Sequence, residues 1–152
     1  MIKEVTFEKT VYNDIPFKYE AGTPNIGGAV GLAAAIRYVS GLGLDNIAAH
    51  EQKLTDMAVE GLKAMPRLTV LAPDVPHSAV VSVLAKGIHH YDLGTLLDQM
   101  GIAVRTGHHC CQPLMCALGT TGTTRASFAL YNTKEEVQTF LKSMNRALDM
   151  LS

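Results

Sequence analysis

Arg105-Thr106-Gly107-His108-His109-Cys110-Cys111-Gln112-Pro113-Leu114-Met115 is the stretch on which the reading of this chain turns. The apolar triplet Ile102–Val104 runs straight into it and reads as a strand, so the thiol loop sits at a strand's C-terminal end. Downstream, Thr124–Leu130 reads as a further strand. Gly107 opens the loop and Pro113 closes it. Cys110 follows two imidazoles and a fixed cation. A cysteine reacts as its thiolate, and nearby positive charge lowers the thiol pKa from about 8.5 toward the physiological range. Cys116, behind Leu114 and Met115, reads instead as a small buried hydrophobe.

Other readings of the loop stay open at this point. His and Cys are zinc ligands, but structural zinc sites usually need a second Cys/His pair, and His50, His77, His89 and His90 sit in no CxxC or HxxxH frame. A metal is therefore not expected. A vicinal Cys110–Cys111 disulfide would be strained. Arg125 interrupts the apolar pattern of Ala126, Phe128 and Leu130. A charge there is unfavourable unless paired. Either an internal salt bridge or a bound carboxylate would serve, and the planar guanidinium fork suits the second. Arg105 is equally ambiguous alone.

Outward from the loop, Tyr91–Met100 reads as a short helix, and Leu68–Ala72 and Ala79–Leu84 as strands joined by a Pro/Asp/His turn. Asp45 caps a helix to about Met65, with Ile47, Leu54, Ala58 and Leu62 on one face. Thr133-Lys134-Glu135-Glu136 is a capping box that opens a helix burying Val137, Phe140, Leu141, Met144, Leu148 and Leu151. Helix 26–40 is rich in glycine and alanine, which weakens it unless a neighbour packs closely. Thr23 or Asn25 can cap it, with Pro24 in its first position. Residues 1–19 read as an extended arm without a core. The fold class is α+β, with a small, mainly antiparallel sheet covered by helices.

The chain has 152 residues, of which 47% are hydrophobic, enough for one domain with a real core. A formal net charge of −1 without a Lys/Arg stripe argues against nucleic acid as a partner. No apolar stretch reaches the roughly 18 residues of a membrane span. The opening Met-Ile-Lys-Glu-Val lacks a signal peptide's apolar core, so none is expected there. Three cysteines, two of them adjacent, form no disulfide framework, which points to a reducing, cytoplasmic location.

Together, Glu20-Ala-Gly-Thr-Pro-Asn25, Gly101-Ile-Ala-Val-Arg-Thr-Gly-His-His-Cys110, Pro113-Leu-Met115 and Arg125-Ala-Ser-Phe-Ala-Leu-Tyr-Asn-Thr133 resemble one family. It is the C-terminal part of group II, Suf-type cysteine desulfurases, related to selenocysteine lyase within the class V aminotransferases. The resemblance runs in order from near residue 1 to near residue 150 and is most specific in Arg-Thr-Gly-His-His-Cys.

The resemblance implies the small domain of a fold type I enzyme dependent on pyridoxal 5′-phosphate. Such an enzyme converts L-cysteine to L-alanine, leaves a persulfide on Cys110, and supplies sulfur for iron–sulfur cluster assembly. Arg125 would hold the substrate carboxylate and Arg105 would line the site mouth. Thr23 and Gly22 would reach the cofactor phosphate of the neighbouring subunit in a homodimer. His108 and His109 would tune the thiol, and Asn25 would support the phosphate loop.

On this reading, residues 1–25 are the arm and phosphate loop, and 26–152 are the C-terminal small domain. The large cofactor-binding domain lies outside the chain. The eight lysines (3, 9, 18, 53, 63, 86, 134 and 142) lie in no His-Lys motif, so the Schiff-base lysine is expected in that missing part and the chain alone is expected to be inactive. A truncated form, a proteolytic product or a split-gene product would each fit. L-selenocysteine remains an alternative substrate, and a sulfur-acceptor protein is an expected partner. A class V enzyme without thiol chemistry and a free-standing thiol or zinc module are the competing readings.

Overall fold

In the computed structural model, which describes residues 1–151, the chain divides into two compact units, Met1–Gly43 and Leu44–Ser152. The glycine-rich helix groups with the arm in the first unit.

The arm is not simply extended. Strands β1 (Ile2–Val5) and β2 (Thr10–Tyr12) pair antiparallel, with Ile2 opposite Tyr12 and Val5 opposite Thr10. Thr6 folds the connection, its hydroxyl accepting from the amides of Glu8 and Lys9 at 3.2 and 3.1 Å. A 3-10 turn follows at Phe17–Tyr19, and the Met1 amino group donates to the Phe17 carbonyl at 2.8 Å. Helix α1 spans Ile26–Leu42. Asn25, not Pro24, sets its start, accepting from the Gly28 amide at 2.9 Å. Gly43 ends it at φ +87°, a backbone region open to glycine without strain. No residue of Met1–Gly43 is buried, and Ile26, Val30, Leu32, Ile36 and Tyr38 are all exposed. This unit has no core of its own.

The second unit holds the core. Helix α2 (Leu44–Lys63) begins one residue before the expected cap, leaving Asp45 in its first turn, where a carboxylate favours the helix dipole. Strands β3 (Leu68–Val70), β4 (Val80–Ala85), β5 (Arg105–Gly107) and β6 (Thr123–Ser127) form one antiparallel sheet in the order β3-β4-β6-β5. Helix α3 (His90–Gln99) precedes β5, helix α4 (Gln112–Ala117) lies between β5 and β6, and α5 (Lys134–Met150) closes the described chain.

The strands alternate as a half-covered sheet should. Val81, Val83 and Ala126 join Leu93, Leu97, Phe140, Met144 and Leu148 in one buried cluster, so α3 and α5 cover one face. Thr106 belongs to that face, close against Gly94 of α3. Ser82, Arg105 and Arg125 occupy the opposite face, since Ser82 and Arg105 are both register partners of Arg125.

Two strand expectations shift. Ile102–Val104 is not a strand, because the ladder with β6 begins only at Arg105 opposite Arg125; Ile102 and Val104 pack irregularly against the core instead. The last strand stops at Ser127, where the Ala129 amide turns to the Asn132 side chain at 2.8 Å. Pro113 does not close the thiol loop but lies in the first turn of α4, where its missing N–H has no intrahelical partner to lose. Among the described residues, no single helix is long and apolar enough to cross a membrane.

Candidate active site

The sheet brings Arg105 and Arg125 directly opposite each other on neighbouring strands. Like charges in that position repel, which is unfavourable for the fold. Neither guanidinium has a carboxylate partner; Lys63–Asp74 at 3.3 Å is the one ion pair among the described residues. The internal salt bridge considered for Arg125 is therefore not formed there. Its Nε is instead buried without a hydrogen-bond partner. Two unneutralised cations on one open face are an anion site in waiting, since a carboxylate would relieve the repulsion and satisfy the orphaned donor together.

Cys110 is brought to this pair by a tight turn. The Cys111 amide donates to the His108 carbonyl at 2.9 Å, and both central residues have positive φ, His109 at 53° and Cys110 at 57°. Positive φ at both positions marks a type I′ turn, which ordinarily takes Asn-Gly. Here two residues with full side chains occupy it, at about 1–2 kcal/mol of backbone strain each. Three bonds hold the turn. The Cys110 amide donates to His108 Nδ1 at 3.0 Å, His109 Nε2 meets the Thr123 hydroxyl at 2.8 Å, and an Arg105 guanidinium nitrogen points at the Cys110 sulfur from 4.0 Å.

Burial holds the His109 imidazole below its ordinary pKa of 6.5, and the Arg125 and Arg105 charges push the same way, against a hydrogen bond to the Thr123 backbone. The ring is therefore neutral where the arginines are not. Cys110 is exposed, ready for a reagent or a partner. Cys111 and Cys116 are exposed as well, which overturns the expectation that Cys116 is buried. On the short α4 it is Met115, one residue earlier, that turns inward.

Sequence reading missed two contributors, Thr123 and His90. The Thr123 hydroxyl is buried on β6. The His90 side chain is also buried, packed against Gly122 at the head of β6, with Nδ1 unpartnered. Neither carries a motif, because each matters through the strand it abuts. Among the described residues, no group of three His, Cys, Asp or Glu side chains is disposed to hold a metal ion.

Gly22, Thr23 and Asn25 belong to the first unit and form their own small constellation. Gly22 has φ +95°, with open space where a Cβ would stand. All three residues are exposed ahead of α1, and the Asn25 side chain is engaged as its cap.

The open face of this small α+β layer thus carries a strained, exposed thiol beside two guanidiniums that no carboxylate pairs. The Aminotransferase class-V family model matches residues 1–140, and the chain belongs to that family. It is 43% identical over 151 residues to a probable cysteine desulfurase of Vibrio cholerae, covering 99% of this chain and 37% of that relative. It is 49% identical over 140 residues to a cysteine desulfurase of Escherichia coli O127:H6, covering 91% of this chain and 34% of the relative. The fold superposes on the crystal structure of the Escherichia coli cysteine desulfurase CsdA with a TM-score of 0.87 at 37% identity, covering 99% of this chain and 37% of that one. The apo cysteine desulfurase of Thermococcus onnurineus NA1 gives 0.86 at 43%, with 98% and 38% covered. The chain thus spans little more than a third of the proteins it matches.

Proposed function

We propose that this chain is the thiol-bearing, C-terminal small domain of a cysteine desulfurase dependent on pyridoxal 5′-phosphate. The observation that carries the reading is the Arg105–Arg125 pair facing the Cys110 turn. An amino-acid carboxylate held between the guanidiniums would bring the substrate's side chain toward the nucleophile. Arg125, the less exposed of the two, would supply the fork, and Arg105 would share its charge between carboxylate and sulfur.

The residues fit the cofactor only in part. The open Gly22 backbone and the exposed Thr23 hydroxyl suit a phosphate oxygen, which in this reading belongs to the neighbouring subunit of a homodimer. The lysine that would hold the cofactor's aldehyde is assigned to protein outside these 152 residues. When bound, the cofactor supplies an electron sink conjugated with the substrate's α-carbon. The Cys110 thiolate attacks the sulfur of L-cysteine and an S–S bond forms. The substrate's C–S bond breaks, its electron pair stays on carbon, and a proton completes the methyl group of L-alanine. The persulfide, exposed on its turn, is then open to a sulfur-acceptor protein. Iron–sulfur cluster assembly in the cytoplasm is the process this would feed.

The test joins the chain to its cofactor-binding part and follows alanine release from L-cysteine and persulfide on Cys110 by mass spectrometry. Alanine formed without sulfur on Cys110, or no alanine at all, would remove the reading. Faster turnover of L-selenocysteine, with Cys110 dispensable, would move it to a selenocysteine lyase.

A further inference from the structure

One bond at the site has a different character from the rest. His109 meets Thr123, a buried residue of β6 that shares the face of Arg125 and whose register partner is Gly107. Gly107 is where the chain leaves β5, at φ +109°. The bond therefore links the departing loop to the strand beside the one it has just left. Among the described residues, the long Arg105 contact to sulfur is the other side-chain bond that ties the 108–111 turn to the sheet. The other bonds are internal to the turn. A type I′ turn made of His and Cys has no intrinsic preference for its shape. Strain of this kind persists only where surrounding structure fixes it.

We propose that His109 is the positioning residue of the nucleophile: its bond to the Thr123 hydroxyl fixes the 108–111 turn and thereby holds the Cys110 sulfur beside Arg105. The proposal rests on the desulfurase reading for what the thiol is used for, but not for the geometry. The bond that His109 makes is to Thr123 and not to the Cys110 sulfur, so it acts through the turn. Its ring stays neutral through burial and the two arginines, so it anchors the turn without adding a competing charge beside the carboxylate site. Thr123 is well suited to the other end, because its neighbours in the sheet fix its χ1 and its hydroxyl cannot swing away.

The test uses the 152-residue chain and needs neither cofactor nor substrate. Iodoacetamide labelling is followed site by site by mass spectrometry, with exposed Cys116 as the reference thiol in the same molecule. Thr123→Val removes the hydroxyl at nearly constant shape, and Thr123→Ser keeps it. His109→Asn removes the ring but leaves a residue at ease with positive φ.

Without the bond the turn relaxes, the sulfur leaves the Arg105 charge, and Cys110 labels about three- to tenfold more slowly relative to Cys116 at pH 7. Thr123→Val and His109→Asn should show the same loss, their double variant no further loss, and Thr123→Ser near wild-type labelling. Such non-additivity is the mark of a single shared interaction. Should Thr123→Val melt well below wild type, His109→Asn against Thr123→Ser carries the comparison. Unchanged labelling in His109→Asn, or independent, additive losses in the double variant, would overturn the proposal. A full enzyme that fails to form persulfide while these labelling contrasts hold would count against the desulfurase reading alone.

Discussion

At the scale of single residues, the opposed arginines and the thiol turn make separable predictions in the joined enzyme. Cys110→Ser should abolish persulfide formation, while Cys116→Ser should stay near wild type, measured by sulfide release with reductant. Both thiols are exposed, so the contrast rests on Arg105 standing 4.0 Å from Cys110. Arg125→Ala should lower kcat/KM for L-cysteine roughly a hundredfold, on the order of 3 kcal/mol, with Arg125→Lys between it and wild type. An ammonium offers one point of contact where the fork offers two parallel bonds. Wild-type efficiency in the alanine variant would make Arg125 a structural residue only.

Two histidines also set a pH dependence at this scale. His90 and His109 both have pKa values lowered from 6.5, chiefly by burial. Each stays neutral in the folded chain while its unfolded counterpart takes up a proton below 6.5. Stability from these residues is thus fully present above pH 6.5 and is lost as pH falls below it toward the folded pKa. Thermal melts from pH 7.5 to 5 should fall in the wild type and fall less steeply in His90→Gln, even if that variant starts lower.

At the scale of elements, the capping box of α5 was legible because it is local: Thr133 accepts from the Glu136 amide at 3.2 Å, and the Glu136 carboxylate accepts from the Thr133 amide at 2.9 Å. Thr133→Ala should lower stability by about 1 kcal/mol in urea melts. Helices α2 and α5 were legible through their apolar periodicity. The β5 boundary was not, because Ile102–Val104 has strand-like composition but no ladder partner, and pairing is a property of two segments. The site divides along the same line. Cys110 stood out by residue type and spacing, the arginines stayed ambiguous until the family resemblance gave them roles, and the I′ turn and Thr123 depend on what β6 places beside the loop. Gly122 shows how tight that junction is. A Cβ there would run into His90 Nε2 and lie 2.7 Å from the Gly107 backbone carbon. Gly122→Ala should therefore destabilise the unit by about 1–3 kcal/mol, since a backbone cannot rotate aside as a side chain can.

At the scale of the whole molecule, Leu44–Ser152 carries the core and Met1–Gly43 carries none. Amide exchange should follow that division, with 1–43 exchanging fast and α2, α3, α5 and the four-stranded sheet protected. Protection of 1–43 equal to that of the core in the chain alone would contradict this. The chain incubated with pyridoxal phosphate and reduced with borohydride should carry no stoichiometric lysine adduct. The unpaired arginines have a thermodynamic corollary. A fold that sets two like charges face to face is penalised until something negative arrives, so an anion that binds the native state and not the unfolded one must raise the melting temperature by mass action. At a hundred times its dissociation constant such a ligand adds about 2.7 kcal/mol, so the melting curve reports affinity for small carboxylates where no catalysis occurs.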